Sequence, residues 1–413
     1  MSAPEQLAAL MDRLGTTGAA ALAALDDETL LVGWGETVEA FLDPRSPEHV
    51  AIEPALVAST GLSRQGLAAG LEAVLGGVRT RHAEALLRRA RESRSPEPDA
   101  IGGPRPARRG EHHRAPAVAV LAGNLPALAV QPLLPALAVR RPLLLKSAST
   151  EPHLAPAFVA ALVRRLPALG DAVAAVTWPG GDAALEAPVL AAAHCVLAYG
   201  DRAAVADLAR RASGKVIDYG PKLSFAFVAA DAELESAARG VARDVALFDQ
   251  RGCLSVQAVF VEGDGARARA FGVELAAALD EIAATLPPGP IDADLASSVQ
   301  QLRGEAELRG ALLGSLPLAS GTVTLELVTA PLVPSPGLRT VRVYPLATLA
   351  DLPRRLAGWE PLLQGAALAG AAAWELAPTL ATLGVSRCAA PGELQSPDAS
   401  WHNGGHDPLA LLA

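Results

Sequence analysis

The sequence predicts an α/β fold built on parallel strands, and three observations support this prediction. From residue 115 onward, short apolar runs such as Cys195–Tyr199 lack any alternation of polar and apolar residues, which is typical of parallel strands buried on both faces. Helical stretches separate these runs, as the crossovers between parallel strands require. The 413-residue chain is 51% hydrophobic and 19% charged, so it can bury the core that such a layered fold needs.

Residues 1–92 predict a helical region that precedes the strands. Leu7, Leu10, Met11 and Leu14 recur at helical spacing, which places their apolar side chains on one helix face. Residues 93–114 are rich in Pro, Gly, Ser and Arg and break this periodicity. We expect a linker or an exposed arm there.

The first group of strands predicts a ligand-binding edge. The strands are expected at residues 117–122, 142–145, 172–178 and 195–199. Asn124, Lys146, Gly180 and Gly200 stand at or just after the ends of these strands. Because ligands bind at the carboxyl ends of parallel strands, we expect these four residues to lie along one edge of the sheet.

A second α/β block follows. Strands are expected at residues 215–220, 224–229, 255–262, 322–328 and 340–344, and helices at 234–248, at 266–286 and around 349–377. The residues from 392 to the end predict a loop that closes over the fold.

Composition excludes several classes of protein. The net charge of −9 argues against nucleic acid as a partner, because phosphate binding needs clustered cations. Residues 115–139 lack charge but contain four prolines, so we predict no transmembrane segment. The three cysteines are scattered and the amino terminus does not resemble a signal peptide, which favours a reducing, cytoplasmic location.

Cys253 is the strongest candidate for a catalytic residue. It follows Arg251 and Gly252 in the turn between a predicted helix and a predicted strand. A cation and a free backbone favour the thiolate, which is the form that attacks carbonyl groups. The alternative is that Cys253 fills the core, as most free cysteines do. We expect Cys195 to be core filler and Cys388 to be a loop thiol.

Other common site motifs are missing from the sequence. It has neither a Walker loop nor a GxGxxG run, so a nucleotide site would depend on sheet topology and single glycines. His402 and His406 are four residues apart, but Gly404 and Gly405 between them oppose a helix. We therefore predict no metal site.

Four runs and the tail resemble a known family. They are VLAGNLPA at residues 120–127, LLLKSAST at 143–150, KVIDYGPKLSFAFV at 215–228 and DQRGCLSVQAVFVE at 249–262, followed by a tail with Trp401, His402 and Gly404. Their order and spacing are similar to the acyl-CoA reductase (long-chain fatty-acyl reductase, LuxC-like) branch of the aldehyde dehydrogenase superfamily. The resemblance implies an aldehyde dehydrogenase-like fold, with a Rossmann-like cofactor domain at 115–222, a catalytic α/β domain at 223–380 and a closing tail at 381–413.

The resemblance also implies site residues. Cys253 matches the acyl-accepting cysteine, and Asn124 matches the amide that holds the oxyanion together with the Cys253 N–H. Lys146, with Ser147 beside it, matches the lysine that reaches the adenosine ribose, while Gly180 and Gly200 fall where loops approach the cofactor. Lys222 matches a recurring lysine to which we assign no role.

Three departures from the family pattern shape the expected chemistry. Ser149 replaces a carboxylate that would repel a 2′-phosphate, which favours NADPH as the cofactor. Asp218 stands where oxidising members have a glutamate base, one methylene longer. Residues 334–337 show no counterpart of the glutamate that usually contacts the nicotinamide ribose.

These implications point to an enzyme that uses NADPH to reduce an acyl thioester to an aldehyde, through a thioester on Cys253. The substrate would be a fatty acyl group carried by coenzyme A or by an acyl carrier protein. The resemblance also implies a homo-oligomer. Two alternatives stay open. The same cysteine could oxidise an aldehyde with Asp218 activating water, or the chain could be a non-catalytic scaffold of the same fold.

Overall fold

A computed structural model describes residues 2–94, 115–314 and 316–413. The helices are α1 Ala3–Arg13, α2 Ala19–Ala24, α3 Asp27–Leu42, α4 Pro47–Thr60, α5 Arg64–Leu75, α6 Thr80–Arg94, α7 Val130–Ala138, α8 Leu154–Arg165, α9 Ala183–Ala192, α10 Arg202–Arg211, α11 Leu234–Ala246, α12 Gly265–Thr285, α13 Ala293–Leu308, α14 Leu352–Leu356, α15 Ala377–Thr382 and α16 Pro408–Leu412. The linker predicted at 93–114 lies outside the described residues, except for its first two, which end α6.

The strands belong to two sheets. They are β1 Ala117–Val120, β2 Leu143–Ser147, β3 Val173–Thr177, β4 Cys195–Tyr199, β5 Lys215–Tyr219, β6 Leu223–Val228, β7 Val256–Glu262, β8 Leu312–Leu313, β9 Thr322–Leu325, β10 Thr340–Leu346, β11 Leu363–Ala369 and β12 Arg387–Ala389. Their positions follow the apolar runs, because a run without polar alternation can be buried on both faces.

The first sheet has the order β3-β2-β1-β4-β5, and all of its strands are parallel. Helices α3 to α8 contribute to the core on one face, with Trp34 and Phe158 fully buried there. Residues of α1, α9 and α10 pack on the other face. The strand order reverses between β1 and β4, and such a reversal opens a crevice at the carboxyl ends of the strands.

The second sheet has the order β12-β11-β6-β7-β10-β9-β8, parallel except for the β8–β9 pair. Helices α11 and α12 cover one face and pack closely on each other. Residues from the segment around α14 and α15 cover the other face. Both faces of the sheet are therefore buried.

The carboxyl-terminal third departs from the prediction in three places. Strand β11 lies within residues 349–377, where we expected only helices, and all seven of its residues are buried. Periodicity cannot distinguish a short apolar run of this kind from a buried helix, and its alanines favour helix locally. The tail expected to be a loop also contains β12 and α16, and Cys388 lies in β12 rather than in a loop. Within the described residues, no helix is long and apolar enough to cross a membrane.

Candidate active site

Cys253 lies in the turn that leads from α11 into β7. The chain leaves α11 through a 3-10 turn at Leu247–Gln250, where Phe248, Asp249 and Gln250 have φ angles of 58°, 50° and 63°. Non-glycine residues rarely adopt this left-handed conformation, which costs roughly 1–3 kcal/mol per residue and persists only where the surroundings enforce it. The cysteine loop is thus strained and must be held by tertiary contacts.

Buried hydrogen bonds hold the loop. The Gln250 amide donates to the carbonyls of Val256 and Thr340, at 2.9 and 2.7 Å, and its oxygen accepts from the Thr340 N–H at 2.8 Å. The Ser224 hydroxyl donates to the Cys253 carbonyl at 2.8 Å. Because β6, β7 and β10 are adjacent in the sheet, these bonds fix the position of Cys253 relative to the sheet.

An apolar cavity of about 80 Å³ reaches Cys253. Apolar side chains from the amino-terminal helices, α7, β4 and the tail make up most of its wall. They include Val74, Val78, Leu125, Val130, Leu134, Leu197, Phe248, Leu254, Trp401, Leu411 and Leu412. A wall of this kind favours an aliphatic ligand, because each methylene buried against it contributes about 0.8 kcal/mol.

A second cleft of about 750 Å³, whose lining includes more polar residues, also reaches Cys253. It follows the turns after β1, β2 and β4, and it is lined there by Gly123, Asn124, Thr150, Gly200 and Asp201. These turns flank the reversal of strand order, where doubly wound folds bind dinucleotides. The glycine positions and the size of the cleft fit a nicotinamide cofactor.

The two cavities share a short stretch of wall that contains Cys253. The shared residues are Leu125, Gln131, Tyr199, Tyr219, Gly252, Cys253 and Asn403. The sulfur-bearing residue therefore lies at the junction between an apolar space and a polar one. A group attached to Cys253 can contact both.

The thiol of Cys253 is not pre-ionised. Burial raises its pKa to about 11, against the opposing effects of its own N–H, the charge of Lys222, the Leu254 N–H and the Gln364 side chain. Burial also raises the pKa of Cys195, to about 11, and that of Cys388. Only Cys253 of the three lines a cavity wall at this junction, so location distinguishes it and acidity does not.

Asn124 lies close to the cysteine loop. It is exposed to the cleft, and its Nδ2 donates to the Arg251 carbonyl at 2.8 Å. An amide nitrogen carries two hydrogens, so one remains for another acceptor. The structure thus places an amide donor beside the cysteine loop, as an oxyanion site requires.

The predicted cofactor residues are only partly brought together. Gly200 lines the cleft, whereas Lys146 is buried, with its Nζ 5.9 Å from the centre of the Trp178 ring. Burial lowers the pKa of Lys146. The buried Ser147 hydroxyl has no hydrogen-bond partner among the described residues. Ser149 and Gly180 are exposed and line neither cavity.

Asp218 is separate from the cysteine. It is exposed on β5, its Oδ1 accepts from the Gly220 N–H at 2.6 Å, and it is not part of either cavity wall. The next residue, Tyr219, does line both cavities. Alternation along the strand explains how neighbouring residues face different surroundings.

Sequence reasoning missed two groups of site residues. Tyr199 and Tyr219 end adjacent strands, and their rings stack with centroids 4.6 Å apart. The sequence carried a signal for this pair, since each tyrosine lies at the end of a predicted strand and stands directly before a glycine. The side-chain amides of Gln131, Gln364 and Asn403 come from three distant segments, and no local pattern indicates that they meet.

Comparison with known proteins shows the family to which the sequence is related. The family model for acyl-CoA reductase (LuxC) matches residues 45–413. A long-chain acyl-protein thioester reductase of Aliivibrio fischeri is 31% identical over 177 residues, which cover 42% of this chain and 36% of that protein. The same-named protein of Vibrio harveyi is 29% identical over 204 residues, 48% of this chain and 42% of the relative. The matched segments span less than half the length of these relatives.

Solved structures are similar in fold. Succinate-semialdehyde dehydrogenase from Burkholderia pseudomallei has a TM-score of 0.73 at 18% identity, covering 99% of this chain and 88% of the other. An NAD-dependent benzaldehyde dehydrogenase from Corynebacterium glutamicum has a TM-score of 0.69 at 17% identity, covering 93% and 85%. These similarities confirm the predicted aldehyde dehydrogenase-like α/β fold.

Proposed function

Because this chain belongs to the acyl-CoA reductase (LuxC) family, we propose that it reduces an acyl thioester to an aldehyde through a thioester on Cys253, with NADPH as the cofactor. The observation that carries the proposal is the position of Cys253 at the junction of the apolar cavity and the polar cleft. A long acyl chain and a redox cofactor need such a meeting point.

The acyl chain binds in the apolar cavity. Burying each methylene contributes about 0.8 kcal/mol, so a long chain gains more from this space than a short one. The carrier portion, coenzyme A or a carrier protein, stays outside the apolar wall. The acyl carbon is then held beside the Cys253 sulfur.

Acyl transfer to Cys253 exchanges one thioester for another. The Cys253 sulfur forms a bond to the acyl carbon, the bond from that carbon to the carrier sulfur breaks, and the carrier leaves as a thiol with the proton that Cys253 gave up. Because the two thioesters are nearly equal in energy, the exchange has little thermodynamic cost, and the proton that Cys253 gives up can pass to the departing sulfur. Burial raises the pKa of the Cys253 thiol to about 11, so the thiol has to be deprotonated as it attacks.

Asn124 stabilises the oxyanion formed during this exchange. Its Nδ2 donates one hydrogen to the Arg251 carbonyl, and its second hydrogen can be donated to the substrate oxygen. The Cys253 backbone N–H supplies the other donor. Removing one donor of this kind lowers turnover about 100-fold.

When bound, a nicotinamide cofactor supplies the hydride that reduces the enzyme thioester. The turns at Gly123 and Gly200, with Asp201 beside the latter, would hold it in the cleft. We base the preference for NADPH on the resemblance at Ser149, which is exposed and adjoins the cleft residue Thr150, because no carboxylate stands at that position to repel a 2′-phosphate. The apolar wall near Cys253 keeps the thioester dry, which limits its hydrolysis.

The position of Asp218 favours the reductive direction over aldehyde oxidation. Oxidation to a free acid requires a base that activates water at the acyl carbon. Asp218 is outside both cavities and already accepts a hydrogen bond from Gly220. A homo-oligomer and a cytoplasmic location stay predictions of the sequence.

The test combines a panel of acyl-CoA chain lengths and acyl carrier proteins with NADPH, following cofactor oxidation and trapping the aldehyde. Cys253→Ala should abolish reduction and acyl-enzyme formation, while the matched variants Cys195→Ala and Cys388→Ala keep both. An acyl group trapped on another residue would overturn the role of Cys253.

The same panel separates the alternatives. Faster aldehyde oxidation than thioester reduction, suppressed by Asp218→Asn, would favour the oxidising enzyme. Cofactor binding with no turnover on any thioester or aldehyde would favour the scaffold.

A further inference from the structure

Strand β11 carries a bulge at the point where it passes the cysteine loop. Leu363 pairs with Leu223 of β6, and Gly365 pairs with the next residue, Ser224, so Gln364 is an extra residue in the ladder. Bulges redirect a side chain and often occur beside active sites. A Cβ at Gly365 would lie 2.8 Å from Leu254, so the missing side chain lets the bulge approach the loop that bears Cys253.

The Gln364 side chain ends in a chain of three amides. Its Nε2 donates to Asn403 Oδ1 at 2.7 Å, and Asn403 Nδ2 donates to Gln131 Oε1 at 3.4 Å. Gln131 belongs to α7, Asn403 to the tail and Gln364 to the second sheet. Gln131 and Asn403 lie in the wall that both cavities share with Cys253. We refer to Gln131, Asn403 and Gln364 as the amide chain.

The amide chain leaves hydrogen-bonding capacity at its buried end. Gln364 is fully buried, and its Oε1 has no hydrogen-bond partner in the part of the chain that the structure describes. Leaving a buried acceptor unpaired costs about 1–3 kcal/mol. The nitrogen also retains one hydrogen beyond the one given to Asn403. The Gln364 amide can therefore still accept a hydrogen bond at Oε1 and donate one from Nε2.

The sulfur of Cys253 is the group that matches both capacities. A thiol donates a hydrogen and a thiolate accepts one, so one amide can serve both states. Gly365, the neighbour of Gln364, packs against Leu254, the residue after Cys253, so the amide lies beside the cysteine loop. Its proximity opposes the effect of burial and lowers the pKa of Cys253. The other groups with this effect are the backbone N–H groups of Cys253 and Leu254 and the charge of Lys222.

We propose that Gln364, fixed by the amide chain, is a positioning residue that holds the Cys253 sulfur at the junction of the two cavities. The inference rests on the proposed role of Cys253 as the nucleophile. It explains why a glutamine occupies a bulge inside an otherwise apolar strand. It also connects the tail to the cysteine, because Asn403 sits in the 3-10 turn Asn403–Gly405, where Gly404 adopts a φ of 60°.

The experiment measures the alkylation rate of Cys253 by iodoacetamide as a function of pH, with the modified peptide quantified by mass spectrometry. Gln364→Leu should lower the rate at pH 8 about tenfold, the effect of one pKa unit, and shift the profile to higher pH. Gln364→Glu, of equal length, should shift it further because a carboxylate repels the thiolate. Gln301→Leu on the exposed side of α13 is the matched control and should leave the profile unchanged.

If the Gln364→Leu protein does not fold, Asn403→Ala tests the same inference by removing the next residue of the amide chain. It should shift the profile in the same direction, and the double variant should show less than the sum of the two shifts, as residues acting in one network do. A folded Gln364→Leu or Asn403→Ala protein with the wild-type profile would overturn the inference. This readout needs no turnover, so a wild-type protein that fails to reduce thioesters would refute the proposed function separately.

Discussion

The strained cysteine loop depends on one buried ion pair, and its removal should be costly. Arg339 is buried, and its Nη2 lies 2.7 Å from Asp249 Oδ1 and 3.0 Å from the Leu286 carbonyl. Asp249 is one of the three left-handed residues that precede Cys253. Arg339→Met would leave the Asp249 carboxylate with the Gly289 N–H as its nearest fixed donor. Breaking a buried pair by removing one partner costs about 3–5 kcal/mol.

The expected magnitude can be compared with the strain in the loop. Three left-handed residues cost at least about 3 kcal/mol together, so losing the ion pair removes enough stabilisation to release the loop. A loss of 3 kcal/mol changes the ratio of folded to unfolded protein by roughly 100-fold. Arg339→Met should therefore lower the urea midpoint, and it should also slow Cys253 acylation in the protein that remains folded.

The matched control is an exposed pair with the same chemistry. Arg354 lies 2.6 Å from Asp351, with 79% of its side chain exposed, and such pairs contribute at most about 1 kcal/mol. Arg354→Met should leave the urea midpoint and the acylation rate nearly unchanged. The double variant Arg339→Met with Asp249→Asn should regain part of the lost stability, because no buried charge remains. If Arg339→Met behaves like Arg354→Met in both assays, the ion pair does not hold the loop.

Four further predictions concern the substrate, the oxyanion, the cofactor and pH. Val78→Phe fills part of the apolar cavity. If the new ring displaces two methylenes of a bound acyl chain, the binding free energy falls by about 1.6 kcal/mol. We expect a roughly 15-fold loss of kcat/KM for the longest acyl chains and little loss for short ones. An equal loss across chain lengths would place the chain elsewhere. Asn124→Ala should lower turnover about 100-fold without changing cofactor affinity in a binding titration; unchanged turnover when acyl transfer is rate-limiting would exclude the oxyanion role. Ser149→Glu should reduce the preference for NADPH over NADH about fivefold, the effect of ~1 kcal/mol of repulsion in water, measured as the ratio of the two kcat/KM values. Burial raises the pKa of Asp244 from 3.8 to about 7, so the contribution of Asp244 to stability is present below pH 4 and is lost as pH rises through 7. Asp244→Asn should therefore flatten the dependence of the melting temperature on pH between 4 and 7. An unaltered dependence would contradict the raised pKa of Asp244.

Local sequence patterns were enough to predict four of the five strands of the first sheet. Each of these four is a short apolar run that ends at, or is followed within a few residues by, an asparagine, a lysine or a glycine. The fifth strand, β5, contains Lys215 and Asp218, and we expected it in the second block; its pairing with β4 places it in the first sheet. The same reasoning put Cys253 in the turn before β7, since Gly252 and the start of an apolar strand both lie within three residues of it. Signals of this kind are contained in a few consecutive residues.

Strand β11 is an element that local sequence signals do not predict. Its residues are mostly alanine and leucine, which favour helix, yet they pair with β6 and β12 and are buried on both faces. Pairing with two distant strands stabilises the extended form, and that pairing is not visible in the run itself. The assignment of Cys388 to a loop failed for the same reason, because β12 forms only against β11.

The sequence by itself determined the fold class, the order of the early strands and the cysteine most suited to chemistry. The tertiary structure alone decided which groups surround that cysteine. Gln131, Gln364 and Asn403 meet through a bulge in β11 and a glycine turn in the tail, and Asp218 lies outside the cavities while Tyr219 lines them. The physical reason is that strand register and bulges are set by contacts between distant segments, and a shift of one residue sends a side chain to the opposite face.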